Sequence, residues 1–210
     1  DTAWDGYEEI PSWIMQGYGT MAMEAARQLK EQGVERPTHI FVQAGVGSLA
    51  GAVVGFFSNL YKDNPPVFVV VEAEAAACLY KGAVAGDGRP RIVDGDMQTI
   101  MAGLACGEPN TISWDILKNH VKMFVAAPDW VAAQGMRMLG APIKGDPAIT
   151  SGESGAAPFG ALSVLMTSDD CADVRKELGL DEKANVLVFS TEGDTDPQRY
   201  KNIVWKGLDK

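Results

Sequence analysis

The run Gln43-Ala44-Gly45-Val46-Gly47-Ser48-Leu49-Ala50-Gly51 follows the apolar stretch Ile40-Phe41-Val42 and leads into further small and apolar residues. Glycines at such a junction let the main chain turn sharply and come close to an anion. The N–H groups of the turn, and of the helix it opens, then point at that anion with the positive end of the helix dipole. The chemistry this favours is phosphate binding, and Ser48 adds a hydroxyl donor to the same loop.

Two kinds of phosphate compete for the loop. Gly45-x-Gly47-x-x-Ala50 satisfies the dinucleotide pattern, and the next apolar run, Val67 to Val71, ends at Glu72, where a ribose-binding acid belongs. Against that reading, a helical segment precedes the strand, so the loop does not open the first strand–helix unit. The other reading is an anchor for one phosphate of a compact cofactor such as pyridoxal phosphate, wrapped by Gly45, Val46, Gly47, Ser48 and Leu49. Glycines that serve only close helix–strand packing are the third possibility.

The elements that must position this loop follow from periodicity. Met21, Ala22, Ala25, Ala26 and Leu29 recur at helical spacing, with Thr20 as N-cap and Gly33 as C-cap. A strand over 38–43, a helix over 48–62 broken by Pro65-Pro66, and a strand over 67–72 come next. Helical character over 73–85, a turn at 86–90 and a loop-rich section around Thr99–Leu104 precede a strand over 123–126. A helix over 128–139, a loop over 142–154, helices over 155–166 and 169–178 and a last strand over 186–189 complete the chain. Continuous apolar strands between helices imply an α/β fold with a parallel sheet covered on both faces. Ligands gather at the carboxyl ends of such strands, so 43–51, 72–74 and 190–194 are expected to converge on one pocket.

Composition narrows the function. Asp and Glu total 28 against 18 Lys and Arg among 210 residues, a formal charge of −10, which repels a polyanionic backbone and argues against nucleic acid. No apolar stretch is long enough to span a bilayer, and Asp1-Thr2-Ala3-Trp4-Asp5 lacks the pattern of a signal peptide, so no membrane partner and a cytoplasmic setting are expected. Cys78, Cys106 and Cys171 lie far apart without a C-x-x-C pair, which argues against zinc and a secreted disulfide framework; a Cys78–Cys106 bridge is the one pairing considered. His39 and His120 lack metal or triad spacing and read as structural.

Gln16-Gly17-Tyr18-Gly19-Thr20, the AGVGSLAG loop, Thr99-Ile100-x-x-Gly103-Leu104, Gly152-Glu153-Ser154-Gly155-Ala156 and Ser190-Thr191-Glu192-Gly193 together resemble the fold-type II pyridoxal-phosphate enzymes, the group of threonine and serine dehydratases. Within that group, Asp1 to Pro11 and Ala105-Cys106-Gly107-Glu108-Pro109 resemble the branch that eliminates ammonia from 2,3-diaminopropionate. The resemblance covers the whole chain. It implies the tryptophan synthase β-like fold, pyridoxal 5'-phosphate as cofactor, a small amino-acid substrate and a homodimer. The family carries its Schiff-base lysine in an aromatic-rich segment of its amino-terminal half, with an asparagine-containing loop, and no such segment occurs here. Residues 1–210 are therefore expected to be the carboxyl-terminal portion, bearing the phosphate loop without the lysine, partnered by the missing amino-terminal half and inactive alone.

The resemblance also implies roles. Gly45, Val46, Gly47, Ser48 and Leu49 match the phosphate loop. Ser190 matches the hydroxyl residue facing the pyridine nitrogen, with Thr191 adjacent; a neutral hydroxyl there favours elimination at the β-carbon. Glu153 matches an acid near the cofactor ring edge, although this chain has Glu-Ser-Gly where many relatives have Glu-Pro-Ser-Gly. Asp1 matches the carboxylate that moves a proton at the substrate α-carbon, against the alternative of a turn or cap residue. Asp5, Glu8 and Glu9 are surface or substrate-amine candidates, and Trp4 and Tyr7 are expected to pack. The expected reaction is α,β-elimination of 2,3-diaminopropionate to pyruvate and two ammonia. The alternatives are a serine or threonine dehydratase of the same fold and a non-catalytic nucleotide-binding module.

Overall fold

A computed structural model describes residues 1–209. Its centre is a four-stranded, all-parallel sheet in the order β3-β2-β1-β4, formed by β1 (His39–Gln43), β2 (Val67–Ala73), β3 (Val121–Ala127) and β4 (Val186–Val188). β1 and β2 pair from His39 opposite Val67 to Gln43 opposite Val71.

Alternation along the two central strands builds two cores. Ile40, Val42, Phe68 and Val70 enter one layer with Val53, Val54 and Phe57 of α2 (Ser48–Leu60), Leu79 of α3 (Cys78–Ala85) and Trp114 and Leu117 of α4 (Thr111–His120). Phe41, Val69, Val71 and Ala73 enter the other with α5 (Asp129–Gly140), α6 (Glu153–Thr167), Leu178 of α7 (Ala172–Leu178) and Ile203 of α8 (Pro197–Val204). A strand buried on both faces must be apolar at successive positions, which is why β1 and β2 carry continuous apolar runs. The α5–α6 contact is close enough that a Cβ on Gly135 would lie 2.4 Å from the Ala156 carbonyl oxygen.

Some boundaries differ from expectation. α1 spans Glu9–Glu31, so Thr20 lies inside the helix and caps nothing. Pro11 is tolerated in the first turn, and Pro11, Met15 and Ala22 form a buried stripe. Packing of that stripe outweighs the poor helix propensity of Gly17 and Gly19. The helix ends where expected, with Gly33 left-handed at φ 79°. α8 lies beyond the last element expected from periodicity, although Asp196 ahead of Pro197 is a cap signal; its side chain accepts from Arg199 N at 3.0 Å. All three cysteines are free, so Cys78 and Cys106 do not pair. His39 is buried against the Leu178 carbonyl at 2.8 Å, a structural role. Among the described residues no helix is long and apolar enough to cross a membrane, and no cluster of His, Cys, Asp and Glu is placed to hold a metal.

Candidate active site

β1 delivers the chain at Gln43 into the glycine loop, and α2 begins five residues later, with Gly47 as its N-cap. Gly47 has φ 103°, and a Cβ there would stand 2.8 Å from Ser113 Oγ. Only glycine fits both conditions. The first turn of α2 has no intrahelical acceptors for its N–H groups. Among the described residues the main-chain N–H groups of Gly45, Val46, Gly47, Ser48 and Leu49 donate to no protein acceptor. They border a cavity of about 490 Å³ at the carboxyl ends of β1 and β4. Unmet donors around a helix N-terminus suit an anion with several acceptor oxygens.

Gln43, 2 % exposed, forms part of the cavity wall; its Nε2 donates to Phe189 O at 3.0 Å and to Thr191 Oγ1 at 2.8 Å, and its Oε1 has no partner among the described residues. Glu192 sits beside it, with Oε1 accepting from Ser154 N at 2.5 Å and Gly155 N at 3.2 Å. That carboxylate complements the N-terminus of α6. Ser154 Oγ is buried near Gly103 without a partner among the described residues. Gly103, Leu104 and Cys106 form a further part of the wall. The turn at 99–104 is fixed from α5, whose Asp129 accepts from Thr99 Oγ1 at 2.5 Å and from Ile100 N at 3.1 Å.

Asp1 and Thr2 border the same cavity. The segment they belong to is strapped down: Thr2 Oγ1 donates to Glu108 O at 3.2 Å, and Thr111 N and Oγ1 donate to Ala3 O at 3.3 and 3.2 Å. Asp1 Oδ2 accepts from Tyr7 OH at 3.0 Å, and the Tyr7 ring stacks on Trp4 with centroids 4.5 Å apart. Asp1, distant in sequence from the glycine loop, thus meets it at one cavity.

Other expected residues stand elsewhere. Glu153 does not border the cavity; it lies 3.4 Å from Arg199 Nε, and burial pushes its carboxyl above the ordinary range while that guanidinium pulls it back. Glu192 occupies the cavity position instead. Ser190 Oγ donates to Ser151 Oγ at 2.8 Å, whereas the adjacent Thr191 borders the cavity. The Ser48 hydroxyl donates to the main-chain oxygen of Asp1 and accepts from Asn110 Nδ2 at 3.0 Å, so its hydrogen is not free for a phosphate. Asp5, Glu8 and Glu9 do not border the cavity. The ribose role of Glu72 fails: its carboxylate is 1 % exposed and accepts from Leu79 N at 2.8 Å and Tyr80 N at 2.7 Å, capping α3. The 72–74 strand end therefore serves α3, and only two of the three expected strand ends meet.

Sequence reasoning assigned no role to Gln43, Asn110 or Glu192. A glutamine closing an apolar strand marks a buried polar group in need of partners, and Asn110 three residues ahead of Ser113 marks a helix cap. Nothing local marked Glu192 as the partner of α6.

The family model for pyridoxal-phosphate dependent enzymes matches residues 4–191. The diaminopropionate ammonia-lyase of Salmonella typhimurium is 54% identical over 208 residues, 99% of this chain and 52% of that protein. The crystal structure of the Escherichia coli diaminopropionate ammonia lyase in complex with an aminoacrylate-PLP azomethine reaction intermediate superposes with a TM-score of 0.90 at 47% identity, over 100% of this chain and 52% of that one. The same enzyme in complex with D-serine gives 0.91 at 45% identity, over 100% and 51%. The chain spans about half the length of the curated relatives it matches.

Proposed function

The chain belongs to the pyridoxal-phosphate dependent enzymes, and from that premise we propose that it forms part of an ammonia-lyase that converts 2,3-diaminopropionate to pyruvate and two ammonia. The observation that carries this reading is the meeting of unmet main-chain donors at 45–49 with Asp1 at one cavity. Identity of 54% to an enzyme named for that substrate supports the choice of substrate.

The residues present suit the cofactor. The N–H groups of Gly45, Val46, Gly47, Ser48 and Leu49 would hold its phosphate, and Gln43, Thr191 and Glu192, which border the same cavity, would face the rest of the molecule. When bound, pyridoxal phosphate supplies the electron sink for the α-carbon. The Asp1 carboxylate takes a proton at the α-carbon or returns one, with Tyr7 OH steadying it. Glu192, rather than Glu153, is the acid on the cofactor side. The Schiff-base lysine belongs, in this reading, to sequence outside residues 1–210, and this portion is inactive without it. Three free thiols suit a reducing compartment, and the reading sets the enzyme in the cytoplasm as a homodimer.

The test is a substrate panel on the intact enzyme: pyruvate release from D- and L-2,3-diaminopropionate against keto-acid release from serine and threonine. Turnover of diaminopropionate at least tenfold above serine and threonine is expected. The reverse order would make the protein a dehydratase.

A further inference from the structure

Asn110 is fully buried, and each of its polar groups is committed. Its Oδ1 accepts from Ser113 N at 2.9 Å and caps α4, and its main-chain N donates to Val46 O at 2.8 Å inside the glycine loop. Its Nδ2 donates to Ser48 Oγ at 3.0 Å and to Asp1 O at 3.2 Å. Because Ser48 Oγ accepts from that amide, its own hydrogen also goes to Asp1 O. The oxygen of Asp1 is held from two directions by groups that belong to the loop and its support.

Capping alone does not call for asparagine. Ser or Asp would satisfy Ser113 N as well. Only an amide combines the capping acceptor with donors on the other side, and the opposite amide orientation would set oxygen against oxygen at Asp1. We propose that Asn110 is a positioning residue that couples the phosphate loop to the Asp1 segment, so that the carboxylate is held at the reacting carbon of the substrate. This rests on the reading of Asp1 as the proton-moving group.

The experiment is a double-mutant cycle in the holoenzyme with Asn110→Ser, which keeps a cap but cannot reach Asp1, and Asp1→Asn. Asn110→Ser is expected to leave the cofactor dissociation constant within twofold and to lower kcat on diaminopropionate at least tenfold. Amide exchange across residues 3–7 should accelerate at least tenfold, with α2 unchanged. In the Asp1→Asn background the same substitution should alter kcat less than twofold. Full activity of Asn110→Ser beside a crippled Asp1→Asn would overturn the coupling alone. Full activity of Asp1→Asn would overturn the Asp1 reading and the coupling with it. Equal losses in both backgrounds would mean that Asn110 acts elsewhere. If Asn110→Ser fails to fold, Asn110→Asp takes its place under the same criteria, and failure of both assigns the amide to α4 stability instead.

Discussion

Gln43 Nε2 lies 2.8 Å from Thr191 Oγ1, joining the end of β1 to the chain just beyond β4 across 148 residues. The same nitrogen holds Phe189 O at 3.0 Å. One buried amide thus closes the floor of the cavity between two parallel strands. Gln43→Leu would strand the buried Phe189 carbonyl, and a lost buried hydrogen bond costs about 1–3 kcal/mol. Urea unfolding should show that loss, with weaker cofactor retention on dialysis.

Gly47→Ala is expected to be more damaging to binding than to folding. A side chain at φ 103° is strained by about 1–3 kcal/mol, and its Cβ would push Ser113 Oγ at 2.8 Å. The loop must then rotate its N–H groups away from the cavity. Titration of the apo-protein with pyridoxal phosphate should give at least a tenfold weaker dissociation constant; an unchanged constant would remove the loop from the phosphate site.

Ser48→Ala separates the hydroxyl from the main chain. Because the hydroxyl serves Asp1 O and Asn110, its loss should leave cofactor affinity within about threefold, less than one hydrogen bond to a charged group is worth. Turnover should fall instead. A loss of affinity of tenfold or more would return the hydroxyl to the phosphate.

Two acids can be told apart by paired substitution. Glu192→Ala should weaken cofactor binding, because it removes the Oε1 that holds Ser154 N at the cavity and Gly155 N beside it. Glu153→Ala, which removes a pairing between a largely buried carboxylate and a half-exposed Arg199 outside the cavity, should leave binding within twofold. Cofactor absorbance after gel filtration reads both.

Burial pushes the Glu72 carboxyl from 4.5 up to about 8, against the Leu79 and Tyr80 N–H groups that favour its charged form. Between those values the folded protein holds a proton that the unfolded chain has released. The stabilisation is complete below pH 4.5 and is lost as pH rises through about 8. The slope within that window is at most about 1.4 kcal/mol per pH unit. The Glu72 contribution is read as the difference in slope between the parent and Glu72→Gln: across the window the parent's unfolding free energy should fall with pH relative to that of the variant.

The α/β class, the parallel sheet and the glycine loop were legible because each rests on local pattern. Apolar runs at 38–43 and 67–72 can be satisfied only by burial on both faces, and Gly45 and Gly47 announce a turn wherever the chain goes. Thr20 follows two glycines and is a good cap residue, yet it lies inside α1 because the buried stripe of Pro11, Met15 and Ala22 carries the helix through it. The propensity cost of Gly17 and Gly19 is local, whereas the packing that offsets it is tertiary.

Charged residues depend most on what the fold brings to them. Glu72 ends a strand where a ribose ligand belongs, yet the turn after it folds two N–H groups onto its carboxylate. Glu153 and Glu192 lie in two short polar motifs, and only the approach of the β4 end to α6 makes Glu192 the one at the cavity. The sequence by itself determined the type of sheet, the glycine loop and the resemblance that led to the cofactor, since periodicity and glycine spacing are properties of neighbouring residues. The tertiary structure alone decided which carboxylates and amides meet at the cavity. Hydrogen bonds reach only about 3 Å, and Asp1, Gln43, Asn110 and Glu192 come within such range of their partners only after the chain has folded.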